Sequence, residues 1–158
     1  MSGQRTAENL MQDLLDSTGA AIHRGDFDAF RVWVALPSVL ETFDHRLRLE
    51  TVEDARALFL RAVERRRSQG VTEMVRRCVC AAFTADGSIH ATHETRYLGA
   101  RGQLLRPAHA GFSVLRRAGA QWQIVLSQYA VEGSMPLNMA LAERLTRPEH
   151  PIPRVSIP

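Results

Sequence analysis

Hydrophobic residues in the first part of the chain recur with the period of a helix. Between residues 6 and 24 they return every three or four positions, which predicts an amphipathic helix that ends at Gly25. Asp26 is placed to cap a second helix over residues 26–35, and Pro37 is expected to stop that helix.

The most regular helical pattern begins at Thr51. The segment Thr51-Val52-Glu53-Asp54 resembles a capping box and is followed by hydrophobic residues at helical spacing. This third helix is expected to end at Gly70. Its hydrophobic face, predicted to pack on a sheet, consists of Ala55, Leu58, Phe59, Ala62 and Val63.

Beyond Gly70 the period changes to two, which is typical of strands. Asp86-Gly87 predicts a hairpin turn between two strands, and Ala118-Gly119-Ala120 predicts another. A shorter hairpin is expected before the third helix, and residues 137–145 are expected to form a short helix before a proline-rich tail. The six predicted strands are Val39–Phe43, His45–Glu50, Val71–Ala85, Ser88–Leu98, Leu104–Arg117 and Gln121–Val131.

Helices followed by an antiparallel or mixed sheet indicate an α+β fold. We expect a curved sheet wrapped over the N-terminal helices, so that the domain is a cone with an open mouth. Residues 1–132 are predicted to form this domain, and residues 133–158 a C-terminal extension. Mouths of this kind are common ligand sites.

Composition supports a globular domain, with 45% hydrophobic and 23% charged residues among 158. No hydrophobic run is long enough for a membrane span, and no secretory segment is evident at the N-terminus.

Cys78 and Cys80 are too far apart along one strand to favour a disulfide, which suits a cytoplasmic protein. All 20 basic residues are arginine, so catalysis by a lysine is excluded. The arginine clusters are short and accompany no nucleic-acid-binding motif, so no nucleic-acid partner is expected.

Four stretches of the chain resemble the nuclear-transport-factor-2-like superfamily, particularly its polyketide-cyclase-like (SnoaL-like) branch. They are Arg24 to Phe30, Leu49 to Asp54, His93 to Leu98 and Trp122 to Gln128. The resemblance implies a cone-shaped α+β barrel that dimerises through its outer sheet face. It also implies a pocket used by isomerases, dehydratases, cyclases and non-catalytic binding proteins. The tyrosine and acids of the steroid-isomerase pattern are not reproduced here.

The turn at Asp86-Gly87 predicts which side chains face the pocket. With those two residues as the loop, Cys80 is expected opposite His93 and Arg76 opposite Tyr97. A slip of one residue would exchange the faces of one strand. The predicted inner face consists of Met74, Arg76, Cys78, Cys80, Ala82, Ala91, His93, Thr95 and Tyr97.

His93 is the candidate for proton transfer, because imidazole titrates near neutral pH. Tyr97 lies four residues along the same predicted face and is expected to orient an oxygen of the ligand. The alternative is a core histidine bonded to the backbone and a core tyrosine with its hydroxyl at the rim. Other residues expected to line the pocket are Trp33, Glu41, Phe43, Cys80, His109 and Tyr129.

Two functions remain open from the sequence. The first is a cofactor-independent lyase, isomerase or cyclase acting on a small, largely apolar molecule, with His93 and Tyr97 in the reaction. The second is a non-catalytic ligand-binding or dimerisation domain with the same pocket. Neither requires a cofactor, and Cys78, Cys80 and His93 do not have the spacing of a metal site. The expected partners are a small-molecule ligand and a second copy of the chain, without a membrane.

Overall fold

A computed structural model describes residues 3–145 of the chain. The predicted proline-rich tail therefore lies outside the described residues. Four helices are present: α1 (Ala7–Arg24), α2 (Phe27–Arg31), α3 (Val52–Ser68) and α4 (Pro136–Leu145). The strands are β1 (Val34–Glu41), β2 (Arg46–Leu49), β3 (Glu73–Phe83), β4 (Ile89–Leu98), β5 (His109–Ala118) and β6 (Gln121–Tyr129).

The strands form one curved, unclosed sheet in the order β2-β1-β6-β5-β4-β3. All neighbouring pairs are antiparallel except β1 and β6, which are parallel. Helix α1 packs along β3, at one edge of the sheet. The predicted α+β cone is therefore confirmed. Within residues 3–145 no helix is long and apolar enough to cross a membrane.

Side chains at the helix starts cap the backbone, at Asp26 and Thr51 as predicted and also at Thr6. Thr6 and Thr51 accept hydrogen bonds from the backbone of α1 and α3 through their hydroxyl groups. Gly25 ends α1 in the left-handed conformation, with φ of 68°. Asp26 then accepts from Ala29 N and caps α2. These local patterns place α1, α2 and α3 without reference to the rest of the fold.

The prediction that the second helix extends to residue 35 is wrong. Helix α2 ends at Arg31, and Pro37 lies inside β1 rather than after a helix. The pairing of β1 with β6 is irregular between Val34 and Val39. Proline has no backbone N–H to donate to a neighbouring strand, so this irregular part of the sheet accommodates it.

The predicted register of the β3–β4 hairpin is also wrong. Thr84 N donates to Ser88 O, so the loop has three residues instead of two, and Cys80 pairs with Thr92. A bulge between Cys78 and Cys80 then shifts the register again, and Cys78 pairs with His93. Arg76 consequently faces Thr95 rather than Tyr97.

The two register shifts together leave the predicted inner face unchanged only in the first part of β3. Met74, Arg76 and Cys78 share the inner face with His93, as predicted, whereas Cys80 is exposed on the outer face. The side chain of Gln12 in α1 stabilises the bulge, because its Oε1 accepts from Cys78 N at 2.8 Å and its Nε2 donates to Arg76 O at 3.1 Å.

Two hydrophobic clusters hold the cone together. One joins α1 to the inner face of the sheet and includes Met11, Leu14, Ile89 and Leu115. The other joins α3 to α2, β2 and α4, so the predicted face of α3 contacts the sheet mainly through β2. Leu141 of α4 is fully buried in this second cluster, although α4 lies beyond the predicted domain end at residue 132.

Candidate functional site

A cavity of about 120 Å³ lies inside the cone, bordered by α3 on one side and by the inner face of the sheet on the other. Its apolar wall comes from the face of α3 that the sequence predicts to be buried, together with β1 and β2. Its polar wall comes mainly from β3 to β6 and α1, with Ser38 of β1 and Arg66 near the end of α3. The principal apolar lining residues are Leu40, Leu49, Ala55, Leu58, Phe59 and Ala62; the polar ones are Thr18, Ser38, Arg66, Arg76, Thr95, Tyr97, His109, Ser127 and Tyr129.

Arg76 connects three parts of this polar wall. One guanidinium nitrogen donates to Thr18 Oγ1 at 2.7 Å and to Leu15 O at 3.4 Å, both on α1. The other donates to the hydroxyl of Tyr129 on β6 at 3.3 Å. All three acceptors are neutral, so the positive charge of Arg76 remains uncompensated by these contacts.

His93 is fully buried beneath the polar wall. Its Nε2 lies 3.0 Å from Ser113 Oγ, and Ser113 Oγ lies 3.1 Å from Ser127 Oγ. Ser127 lines the cavity, whereas His93 does not. A chain of two hydroxyl groups therefore links the buried imidazole to the cavity.

Three aromatic rings surround the same region. The ring centroids of Tyr97 and His109 are 5.3 Å apart, and those of His109 and Tyr129 are 6.3 Å apart. The ring of Tyr129 also meets that of His93 edge-on at 5.5 Å. Nδ1 of His109 is buried and has no hydrogen-bond partner among the described residues. In the cavity wall, the imidazole of His109 therefore has a ring nitrogen that is available to a ligand.

Both histidines are neutral at physiological pH. Burial, with smaller contributions from the charge of Arg76 and from His109, lowers the pKa of His93 to about 3. Burial also lowers the pKa of His109 to about 4, with contributions from Arg76 and Arg66. The cavity lining therefore combines two guanidinium charges with the uncharged imidazole of His109, and the uncharged imidazole of His93 lies beneath it.

The cavity brings together three of the residues that the sequence analysis assigned to the pocket. Tyr97, His109 and Tyr129 line it, and His93 reaches it through the serine pair. These residues come from different strands, but alternation along β4, β5 and β6 directs them to the same face.

The other four assigned residues lie elsewhere. Cys80 is exposed on the outer face of β3, and Phe43 is 68% exposed in the turn between β1 and β2. Glu41 accepts from Gln128 and forms an ion pair with Arg46, outside the cavity lining. Trp33 packs against the cluster around α1 and does not reach the cavity.

Several polar residues of the site carried no assigned role from the sequence. Arg66 lies in the run Arg65-Arg66-Arg67 at the end of α3, which suggests only a solvated helix end. Ser113 and Ser127 are ordinary strand residues until the pairing of β5 with β6 places them opposite each other. Within residues 3–145, no group of three or more His, Cys, Asp or Glu side chains could hold a metal ion.

A larger groove of about 780 Å³ adjoins the cavity on the outside, between α1, the end of α3 and the start of β3. Four residues line both spaces: Ile22, Arg66, Met74 and Arg76. They form the boundary between the outer groove and the inner cavity. Asp16 and Glu73 line only the outer groove.

Solved structures with this architecture come from several bacteria. An NTF-2 like protein of unknown function from Shewanella oneidensis superposes with a TM-score of 0.59 at 12% identity, covering 78% of this chain and 98% of that one. A domain of unknown function with a cystatin-like fold from Nostoc punctiforme gives a TM-score of 0.65 at 13% identity, covering 89% and 86%. The chain has the NTF2-like fold.

A ketosteroid isomerase-like protein from Erwinia carotovora has the same NTF2-like fold, with a TM-score of 0.58 at 15% identity, covering 78% of this chain and 94% of that one. No protein-family model matches the sequence, and no curated protein matches it. At these identities the comparisons establish the NTF2-like fold, and the SnoaL-like branch stays a prediction.

Proposed function

We propose that this NTF2-like domain binds a small, largely apolar molecule in its inner cavity. The observation that carries the proposal is the convergence of Arg76, His109 and Tyr129 on a cavity whose opposite wall is apolar. An apolar cavity with a few convergent polar groups is the usual form of a small-molecule site. Cavities of about 150 Å³ bind benzene, so the inner space of about 120 Å³ limits the enclosed part of a ligand to one small ring at most.

Binding of benzyl alcohol, followed by ligand-observed NMR, tests this proposal. Ala62 is buried on α3 and lines the cavity, so the substitution Ala62→Leu should fill the space and abolish binding. The control is Ala57→Leu on the same helix, since Ala57 is not part of the lining. Equal binding by both variants would place the probe elsewhere and contradict the proposal.

A second candidate function is cofactor-independent proton transfer, as in a lyase or isomerase. It is favoured by His109, whose imidazole lines the cavity beside Tyr97. His93 would exchange protons with the cavity through Ser113 and Ser127, and Tyr97 would orient a ligand oxygen. A neutral imidazole can accept a proton from carbon, although a pKa of about 4 makes His109 a weak base.

Exchange of the α-hydrogens of cyclohexanone in D₂O tests this chemistry. The base removes a proton next to the carbonyl, and the enolate takes a deuteron from solvent at the same carbon. We expect an acceleration below about a hundredfold, because the imidazoles are weak bases. His109→Gln and His93→Gln should each lower it. If the parent protein exchanges no faster than these variants, proton transfer is excluded and binding remains.

We also propose that a second copy of the chain covers the outer face of the sheet. Val75 and Val79 are 41% and 55% exposed there, beside the half-buried side chains of Phe112, Val114 and Leu126. An exposed apolar sheet face of this kind is typical of an interface. The charged pair Glu94 and Arg96 lies on the same face, on β4 between the valines of β3 and the apolar side chains of β5, and would be enclosed in such an interface.

A further inference from the structure

We propose that the ligand of the inner cavity carries a carboxylate, which Arg66 and Arg76 bind at the boundary between cavity and outer groove. This inference rests on the proposed binding function and specifies its ligand class. It combines the positions of the two guanidinium groups, their lack of acidic partners and the distribution of acidic residues around them.

The two arginines come from different elements and meet at one place. Arg66 lies near the end of α3, and Arg76 lies on β3. Each lines both the inner cavity and the outer groove, so their side chains lie at the boundary between the two spaces. Both charges also act on the ring of His109 in the cavity wall. A ligand group at this boundary would contact both guanidinium groups.

Neither guanidinium has a carboxylate partner among residues 3–145. Nε and one terminal nitrogen of Arg66 are buried and have no hydrogen-bond partner in the described part of the chain. Arg76 donates only to neutral oxygens. Buried donors without acceptors are costly, and charged ones more so. An anion between the two groups would remove this cost.

The acidic residues nearby restrict where that anion can lie. Asp16 and Glu73 line the outer groove, whereas the described residues lining the inner cavity include no aspartate or glutamate. The outer groove carries Arg67 as well as these acids, whereas within residues 3–145 the charged residues that line the inner cavity are Arg66 and Arg76, so an anionic group is attracted most strongly on the inner side of the boundary. The apolar part of the ligand would then occupy the inner cavity, against Leu58 and Phe59 of α3.

A carboxylate is the anion that fits these donors best. The guanidinium group is planar and presents parallel N–H donors that match the two oxygens of a carboxylate. The rest of the ligand would lie in the cavity of about 120 Å³ and is therefore about the size of one ring. An aromatic or short aliphatic carboxylic acid has both features.

Benzoate and benzamide form a matched pair of probes, because they share a ring and a planar head group and differ in charge. Isothermal titration calorimetry at neutral pH and low salt should give about tenfold or greater preference for benzoate. This comparison uses the unmodified protein, so it does not depend on the folding of any variant.

Variants then locate the charge that produces the preference. Arg66→Gln should lower benzoate affinity about tenfold and leave benzamide unchanged, because one charge-assisted contact is lost. Arg67→Gln is the control, since Arg67 carries the same charge but lines only the outer groove. It should leave the affinities for both probes close to those of the parent protein.

The outcomes separate this inference from the binding function on which it rests. If benzamide binds as tightly as benzoate, and Ala62→Leu abolishes both, the cavity binds small molecules but the carboxylate inference is wrong. An equal loss of benzoate affinity in Arg66→Gln and Arg67→Gln would also overturn it, since the effect would then reflect net charge. If neither probe binds at millimolar concentration, the binding function fails together with the inference.

Discussion

The imidazole of His93 lies directly against the backbone of Gly111 on the neighbouring strand. The two residues are paired across β4 and β5. A Cβ atom built on Gly111 would lie 2.8 Å from His93 Nδ1 and nearer still to Cε1. Gly111 is therefore required for space, because its side chain would occupy the volume of the ring. The imidazole occupies the space left by this glycine and bonds to Ser113 on the same strand as Gly111.

Substitution of Gly111 by alanine should destabilise the protein by displacing this ring. Overpacking of a buried site costs about 1–3 kcal/mol, and we expect a loss in this range for Gly111→Ala. The free energy of unfolding in urea measures it. In the background of His93→Ala the same substitution should cost much less, because the ring is absent. Additive losses in this double-mutant cycle would show that the two residues do not interact in this way.

Stability should fall when the pH is lowered below about 6.5, the pKa of an unfolded histidine. The pKa of His93 is lowered to about 3 in the folded state, so protons bind preferentially to the unfolded chain between these values. His93 alone should therefore reduce the free energy of unfolding by about 2 kcal/mol between pH 7 and pH 5. Urea unfolding at the two pH values gives this difference.

The variant His93→Gln separates this effect from the titration of other groups. Its stability should depend less steeply on pH over the same interval, because no imidazole titrates at position 93. His90→Gln is the matched control, since His90 lies on the same strand and is exposed on the outer face. A slope in His93→Gln that equals that of the parent protein would contradict the assignment.

Leu58 should contribute strongly to stability, whereas Leu60 on the same helix should not. Leu58 is 4% exposed and belongs to the cluster between α3 and β2, while Leu60 is 48% exposed. Leu58→Ala is expected to cost about 2–5 kcal/mol. Leu60→Ala is expected to change stability by no more than about 0.5 kcal/mol. Similar losses for both variants in thermal or urea unfolding would contradict the packing of α3.

A charge on the outer sheet face should prevent the proposed dimerisation. Val79→Arg places a guanidinium on the exposed outer face of β3, the edge strand of the sheet, where an interface would have to desolvate it. Sedimentation velocity at micromolar concentration should show a dimer for the parent protein and a monomer for this variant. The control Leu60→Arg carries the same charge away from the sheet and should remain dimeric. A monomeric parent protein would end the proposal.

The sequence by itself determined the helices whose ends are local. Gly25, Asp26 and Thr51 act on backbone groups within a few residues of themselves, so their patterns predict the end of α1 and the starts of α2 and α3. The alternation along β4 likewise predicted that His93, Thr95 and Tyr97 share one face. These features depend only on residues that are close together in the chain, which is why they can be predicted from the sequence.

Tertiary structure decided which residues of the inner face form the site. The bulge between Cys78 and Cys80 is held by Gln12, a residue 66 positions away in the chain, and it directs Cys80 outward while it keeps Cys78 inward. The sequence of the hairpin itself contains no pattern from which that contact could be predicted. The same holds for Arg66 and Arg76, whose positions at the boundary of the cavity depend on how α3 and β3 are placed around it. A local pattern can direct a side chain to one face, but only packing brings two distant charges to one place.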